Sequence, residues 1–237
     1  MNPIIKTDEY EITQDAKNKS IFTITFINEL NELNEPKNEK KSLIKSITKS
    51  GIILGATIYD NYKSVSFKAH TIKTLNQYKK DLTHAKSVPN FSYLNTLKLV
   101  YYLTKQLSYL IEEDSNCFYQ FTPENIIVID NSKYMYLSLN HLKKIDDKTE
   151  LIRFTAPFDR EGFVSPELLR IKSVPATINY RTIYYSLGLL VLDCLFDYKE
   201  KDINNLEEVM GPIKETKLFY LVKRCLDDEP ISRVVHF

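Results

Sequence analysis

The chain has 237 residues, of which 43% are hydrophobic, 27% charged and 12% aromatic. That profile excludes a disordered chain and gives length enough for one domain, or one two-part unit, with a sizeable core. Its 32 basic and 31 acidic residues leave a net charge of +1, which argues against a whole-molecule field steering it onto nucleic acid or anionic lipid.

The opening segment, MNPIIKTDEYEITQD, is polar and acidic and does not read as a signal peptide. Tyr10–Thr13 and Ser20–Ile27 are β-type runs, and the polar stretch Gln14–Lys19 joins them as a hairpin. Asn28–Lys41 is highly charged and leads into a helix whose Leu43, Ile44 and Ile47 share one face, with Gly51 marking its stop. Ile52–Tyr59 and Ser64–Lys68 read as two further strands, turning at Asp60-Asn61. From residue 72 the pattern becomes helical. Leu75–Leu82 is a short helix, Pro89-Asn90 breaks the chain, and Leu94–Ile111 is apolar at close to a 3.6 period. Ile126–Ile129 and Tyr134–Leu139 form a hairpin around Asp130-Asn131-Ser132, and a loop of mixed charge follows to about residue 163. Helices are expected at Pro166–Ile171, Thr182–Phe196, Asn205–Met210 and Leu218–Leu226. The longest apolar runs, Leu99–Leu110 and Ile183–Phe196, fall short of the ~20 residues of a membrane span and read as buried helices. The order is a small β-rich part followed by a larger α-rich part.

The cysteines Cys117, Cys194 and Cys225 are far apart and lack CxxC spacing. That rules out a zinc ribbon, speaks against a disulfide framework and fits a reducing compartment. His70, His84, His141 and His236 have no metal-ligand spacing.

Five segments fall in an informative order. Thr74-Leu75-Asn76-Gln77-Tyr78 comes first, and Phe118-Tyr119-Gln120-Phe121-Thr122-Pro123-Glu124-Asn125 follows the long helix. Downstream lie Ser165-Pro166-Glu167, then Tyr184-Tyr185-Ser186-Leu187-Gly188, then Cys225-Leu226-Asp227-Asp228-Glu229-Pro230-Ile231-Ser232-Arg233. Together they resemble the eukaryotic protein kinases: the segment after the hinge, the His-Arg-Asp-x-x-Pro-Glu-Asn loop, Ala-Pro-Glu, the central buried helix and the late Cys-Leu-x-x-x-Pro-x-x-Arg segment. The resemblance covers about residues 65–237 and is poor over the first 60. It implies an α+β, two-lobed protein kinase-like fold, with a reduced β-rich N-lobe over residues 1–70 and an α-rich C-lobe over residues 71–237.

Phosphoryl transfer in that family needs an Asp base, an Asn and a second Asp on Mg²⁺, a Lys–Glu pair and a Gly-rich loop over the phosphates. Matched residue by residue, the base position is Gln120, which has no titratable carboxylate. Phe118 and Tyr119 replace the His and Arg, so the switch that reads a phosphorylated loop is expected to be absent. Asn125 keeps the metal Asn, while the second metal position falls on Ser138, or one residue later on Leu139, and neither offers a charged oxygen. The first fifty residues hold no glycine, and no Val-Ala-x-Lys occurs near SIFTITFI, so Glu39 lacks its Lys. Phe67 matches the gatekeeper, with Lys68 and Ala69 continuing the nucleotide-facing segment, and Ile183 replaces the Asp that braces the loop. Glu167 and Arg233 occupy positions that in the family form a buried ion pair, and Ser186 and Gly188 are kept.

The residues also have plainer readings. Asn125 reads as a loop hydrogen-bonder before a metal ligand, and Gln120 as a satisfied loop amide before a water-positioning group. Glu124 reads as a structural carboxylate before a substitute base. Phe118 reads as core, Cys117 as unactivated, and Tyr101, Tyr102, Tyr184 and Tyr185 as core. The run Lys37–Lys49 reads as the solvated face of a helix, with a partner-binding patch as the alternative.

The resemblance thus implies a pseudokinase that binds a protein partner, such as a kinase or its substrate, with no nucleic acid or membrane partner. A cytoplasmic location is expected. The similarity extends to degenerate kinase-like proteins of large AT-rich DNA viruses, which would make that the host cytoplasm or the virion. No cofactor is expected, with ATP and Mg²⁺ at Phe67, Lys68, Ala69, Asn125 and Ser138 as the alternative. The other readings are a non-standard active serine/threonine-type kinase using Glu124 or Asp130, and a metal-free ATP sensor.

Overall fold

The computed structural model describes residues 3–27, 36–86, 91–197 and 205–235. Period-two burial builds its first sheet. Tyr10 and Ile12 on β2 (Tyr10–Gln14) and Phe22, Ile24 and Phe26 on β3 (Ile21–Phe26) all face inward. The antiparallel register pairs Tyr10 with Phe26 and Ile12 with Ile24. With β1 (Ile5–Lys6), β4 (Thr57–Tyr59) and β5 (Ser64–Lys68), the sheet runs β1-β2-β3-β5-β4. The expected strand Ile52–Tyr59 is shorter than its sequence suggested. Ile52 and Ile53 are buried in an irregular turn, because Gly51 and Gly55 on either side sit at φ +76° and +62° and interrupt pairing.

Helix α1 (Pro36–Thr48) connects β3 to β4. Leu43, Ile44 and Ile47 are buried, and so are Ser42 and Ser46. These serines tie α1 to the rest of the molecule: Ser42 Oγ donates to Asp114, and Gln106 Nε2 donates to Ser46 Oγ at 3.1 Å.

Beyond β6 (Ile72–Thr74) come α2 (Leu75–Lys86) and the long α3 (Tyr93–Asp114). The Ser92 hydroxyl caps α3 by accepting from Asn95 N, and left-handed Ser115 ends it. Next come β7 (Asn116–Phe118), a 3-10 turn over Pro123–Asn125, β8 (Ile126–Ile129) and β9 (Lys133–Tyr136). Asp130 and Asn131 turn the β8–β9 hairpin at φ 51° and 53°, the left-handed pair that a tight hairpin turn requires. The mixed-charge stretch expected as loop contains another hairpin, β10 (Leu142–Asp146) and β11 (Leu151–Phe154). Its Leu142, Ile145, Ile152 and Phe154 are buried while the intervening cations face out. β12 (Ala176–Asn179) joins them in the order β12-β11-β10-β7, and a third sheet runs β6-β8-β9.

Helices α4 (Pro166–Arg170), α5 (Thr182–Phe196), α6 (Leu206–Val209) and α7 (Lys217–Cys225) complete an α+β architecture. α5 is buried along almost its whole length. α7 lies so close that a Cβ on Gly188 would stand 2.8 Å from Cys225 Cβ. Tyr185 is core, but Tyr101 is 46% exposed, because it lies on the outer face of α3. No helix among the described residues is long and apolar enough to cross a membrane. Pro89-Asn90 and His236 lie outside the described residues.

Candidate functional site

The segment Phe118–Asn125 is held from three sides. Phe118 is fully buried, edge-on to Tyr136 with centroids 4.8 Å apart. The Phe121 N–H donates to Ser186 Oγ of α5 at 2.7 Å, so a hydroxyl one turn beyond Ile183 braces the loop. The Phe163 N–H donates to Phe121 O at 3.0 Å. That approach needs Gly162, at φ +89°, where a Cβ would fall 2.6 Å from Phe121 O.

Gln120 is fully buried. Its Nε2 lies 3.1 Å from His141 Nε2, while its Oε1 has no hydrogen-bond partner. The expectation of a satisfied amide is therefore corrected: only one end of the side chain is paired. His141 Nδ1 is 2.5 Å from the Tyr136 hydroxyl, which accepts from Thr122 N at 3.2 Å. Burial lowers the His141 pKa to about 4, so the ring is neutral at physiological pH and one nitrogen accepts. Asp159 stands 4.0 Å from His141 Nε2 and is half exposed.

The residue that organises the site is Glu9. Its side chain enters from just before β2 and is 4% exposed. Glu9 Oε1 accepts from Ser138 Oγ at 2.8 Å, and Oε2 accepts from the N–H groups of Leu139 at 2.5 Å and Asn140 at 2.9 Å. Burial raises the carboxyl pKa, and the three hydrogen bonds oppose that shift without cancelling it. Its neighbour Tyr10, fully buried and edge-on to Phe26, directs its hydroxyl at Asn125 Oδ1, 3.4 Å away. Asn125 Nδ2 donates to Thr122 Oγ1 at 3.1 Å. Asn125 and Ser138, separated in sequence, are thus contacted by two consecutive residues, Tyr10 at the start of β2 and Glu9 just before it. Among the described residues, no group of three or more His, Cys, Asp or Glu is placed to hold a metal ion.

Phe67 and Ala69 are buried and Lys68 is exposed. The backbone donors following Phe67 are engaged: Ala69 N–H by Ser20 O at 2.9 Å, and His70 and Thr71 N–H by Asp130 Oδ1 at 2.7 and 2.9 Å. Glu124 is on the outside and accepts from Asn76 Nδ2 at 2.8 Å, linking the loop to α2. All three cysteines are buried; burial pushes the Cys225 thiol up to about 12, and Cys117 and Cys194 are raised for the same reason.

Glu167 and Arg233 form an ion pair around a fully buried guanidinium. Arg233 Nε also donates to Asp227 O at 2.8 Å, and the group lies 4.9 Å from the Tyr185 ring centroid. Glu9, His141 and Tyr136 carry no signal in the sequence that marks them as site residues. Ser186 does carry one, as a hydroxyl inside an otherwise apolar helix.

No protein-family model matches the chain, and no curated protein matches it either.

Proposed function

We propose that the chain is a pseudokinase: a two-lobed, protein kinase-like module that acts by binding another protein, a kinase or its substrate, and not by moving phosphate. The order of elements supports the architecture. A five-stranded sheet carries one helix between β3 and β4. The long α3, the loop to Asn125, the β8–β9 hairpin, the buried α5 and the Glu167–Arg233 pair then follow in the sequence that the motifs require.

The observation that carries the reading is the Glu9 carboxylate on Ser138, Leu139 and Asn140. Two convergent backbone N–H groups and a hydroxyl make an anion cradle. Here the chain's own carboxylate fills it, and a phosphate brought there would meet a like charge. The donor set is equally unsuited to a magnesium nucleotide: Gln120 is no base, Ser138 spends its hydroxyl on Glu9, and the Asn125 Oδ1 that would face a metal meets the Tyr10 hydroxyl at 3.4 Å. The amides after Phe67 are already engaged.

A thermal melt with millimolar ATP, with and without Mg²⁺, tests this. A ligand at ~100 times its Kd would stabilise the native state by about 2.7 kcal/mol, a shift of roughly 5–10 °C for a chain of this size. No shift is expected in either condition. A Mg²⁺-dependent rise in Tm would refute the silent-cleft reading.

A further inference from the structure

The chain's charges nearly cancel in total, but they are not evenly spread. Two cavities of about 420 and 380 Å³ both border Glu39 of α1. Between them they gather Lys40, Lys41 and Lys45 from α1 and Lys143, Lys144 and Arg153 from the β10–β11 hairpin. Only three carboxylates, Glu39, Asp114 and Asp159, share those walls. The remainder of a chain whose net charge is +1 is therefore slightly acidic.

Several of these cations carry no ion pair with a described residue. Lys45 pairs with Asp114 at 3.6 Å, but Lys41, Lys143, Lys144 and Arg153 have no ion-pair partner among the described residues. Lys144 donates to the Asp114 carbonyl at 2.8 Å, and Lys41 lies over the Tyr62 ring at 5.7 Å. Lys41, Lys144 and Arg153 are exposed. The floor of the second cavity is apolar and aromatic: Tyr119, Phe154 and Phe158 pack against one another beside Pro157.

We propose that the groove between α1 and the β10–β11 hairpin docks an acidic peptide segment of a partner protein, one that alternates Asp or Glu with apolar side chains. This deepens the partner-binding reading given above and rests on it. Charge complementarity selects an anion, and the mixture of cations, carboxylates and aromatic rings on these walls selects a peptide. Double-stranded nucleic acid presents one phosphate charge about every 1.7 Å, and Glu39, Asp114 and Asp159 would repel it. An acidic segment with interspersed apolar side chains would meet the cations of both cavities and the aromatic floor of the second, and the exposed Asn140 offers a polar contact to a peptide backbone.

The test is selection of a random-peptide library on the full chain, followed by fluorescence anisotropy with the enriched peptide, labelled. The expected consensus is acidic with interspersed apolar residues, and binding weakens with added salt. Lys143→Glu together with Arg153→Glu should raise Kd about tenfold or more, which corresponds to ~1.4 kcal/mol. Lys217→Glu, which lies in a different cavity beside α3, should leave Kd unchanged. Both variants are surface changes, and an unaltered Tm verifies that they fold. A selection with no acidic consensus, binding indifferent to the charge reversal, or tighter binding of a single-stranded oligonucleotide of equal charge would each overturn the proposal. The ATP melt reads the cleft separately: an ATP shift with peptide binding intact removes the silent cleft alone, and loss of peptide binding without an ATP shift removes the groove alone.

Discussion

Glu9→Ala deletes the carboxylate that joins the N-terminal sheet to the turn at Ser138–Asn140. Three donors lose their acceptor, but they are not equivalent. The Ser138 hydroxyl is free to rotate, unlike a backbone N–H, and its oxygen still accepts from His141 N at 3.3 Å. Asn140 is exposed, so its N–H finds water. The Leu139 N–H lies in a residue only 8% exposed and is stranded. An unsatisfied buried donor costs about 1–3 kcal/mol, so the loss is about 2 kcal/mol, or roughly 4–8 °C in Tm for a chain of this size. Glu9→Gln behaves differently. Its amide oxygen can accept from both Leu139 and Asn140, its NH₂ can donate to Ser138 Oγ, and the buried charge is gone. Its cost should stay below about 1 kcal/mol. Urea unfolding at neutral pH, followed by circular dichroism, measures both variants against the parent. Equal losses for Ala and Gln, or no loss for Ala, would refute the account of Glu9 as the acceptor that holds this turn.

The same region predicts an acid limb of stability with two opposed contributions. His141, held at about 4 against an ordinary 6.5, keeps the native ring neutral while the unfolded ring protonates, so stability falls as pH drops through that interval. The loss reaches up to roughly 3 kcal/mol at about 1.36 kcal/mol per pH unit. Glu9 acts in the other sense. Its raised pKa means the native carboxyl takes up a proton first, so acidification through its folded pKa favours the native state. His141→Gln should flatten the acid limb of a stability–pH curve and Glu9→Gln should steepen it, and matching slopes in the two variants would contradict both assignments. Glu167→Gln leaves the buried Arg233 guanidinium with carbonyl partners only and should cost about 3 kcal/mol in denaturant unfolding. Gly188→Ala drives a Cβ to 2.8 Å from Cys225 Cβ, and by forcing α7 away from α5 it should cost about 1–3 kcal/mol. Gln120→Asp combined with Ser138→Asp should produce no phosphotransfer in a radiolabel assay, because Glu9 and Tyr10 still occupy the site.

How far each element could be read in the sequence follows from how local its causes are. Helix α5 matches its expected bounds at both ends, because its apolar run has no solvent face to confuse the period. The β8–β9 hairpin was legible at its turn, since Asp130-Asn131 supplies its own left-handed pair, but its second strand ends at Tyr136, three residues before the expected Leu139. The β10–β11 hairpin was not. Each of its strands places cations at outward positions, and a half-buried strand of Lys and Arg looks like a loop until its pairing is seen. β6, β7 and β12 are three or four residues long, too short to express a period of two. At the site, the order of the motifs singled out Gln120 and Ser138, but nothing singled out Glu9. Its partners lie about 130 residues away in sequence, and nothing local separates it from the acids around it.

The Phe118–Asn125 loop and the basic groove meet at α1. Its inner face is pinned by Ser42 to Asp114, by Asn116 to Ser42 at 2.9 Å, and by Ser46 to Gln106, which is itself tied to both the N–H and the carbonyl of Tyr136. Tyr136 in turn anchors His141 and Thr122 in the sealed loop. The hydrogen bonds that hold the Phe118–Asn125 loop therefore also fix the helix carrying Lys40, Lys41 and Lys45 along one wall of the basic groove. A rigid wall lowers the ordering cost that a docking peptide must overcome, and that cost is what commonly limits affinity at polar interfaces. Gln106 and Tyr136 thus hold α1, and with it one wall of the groove proposed above, in one position.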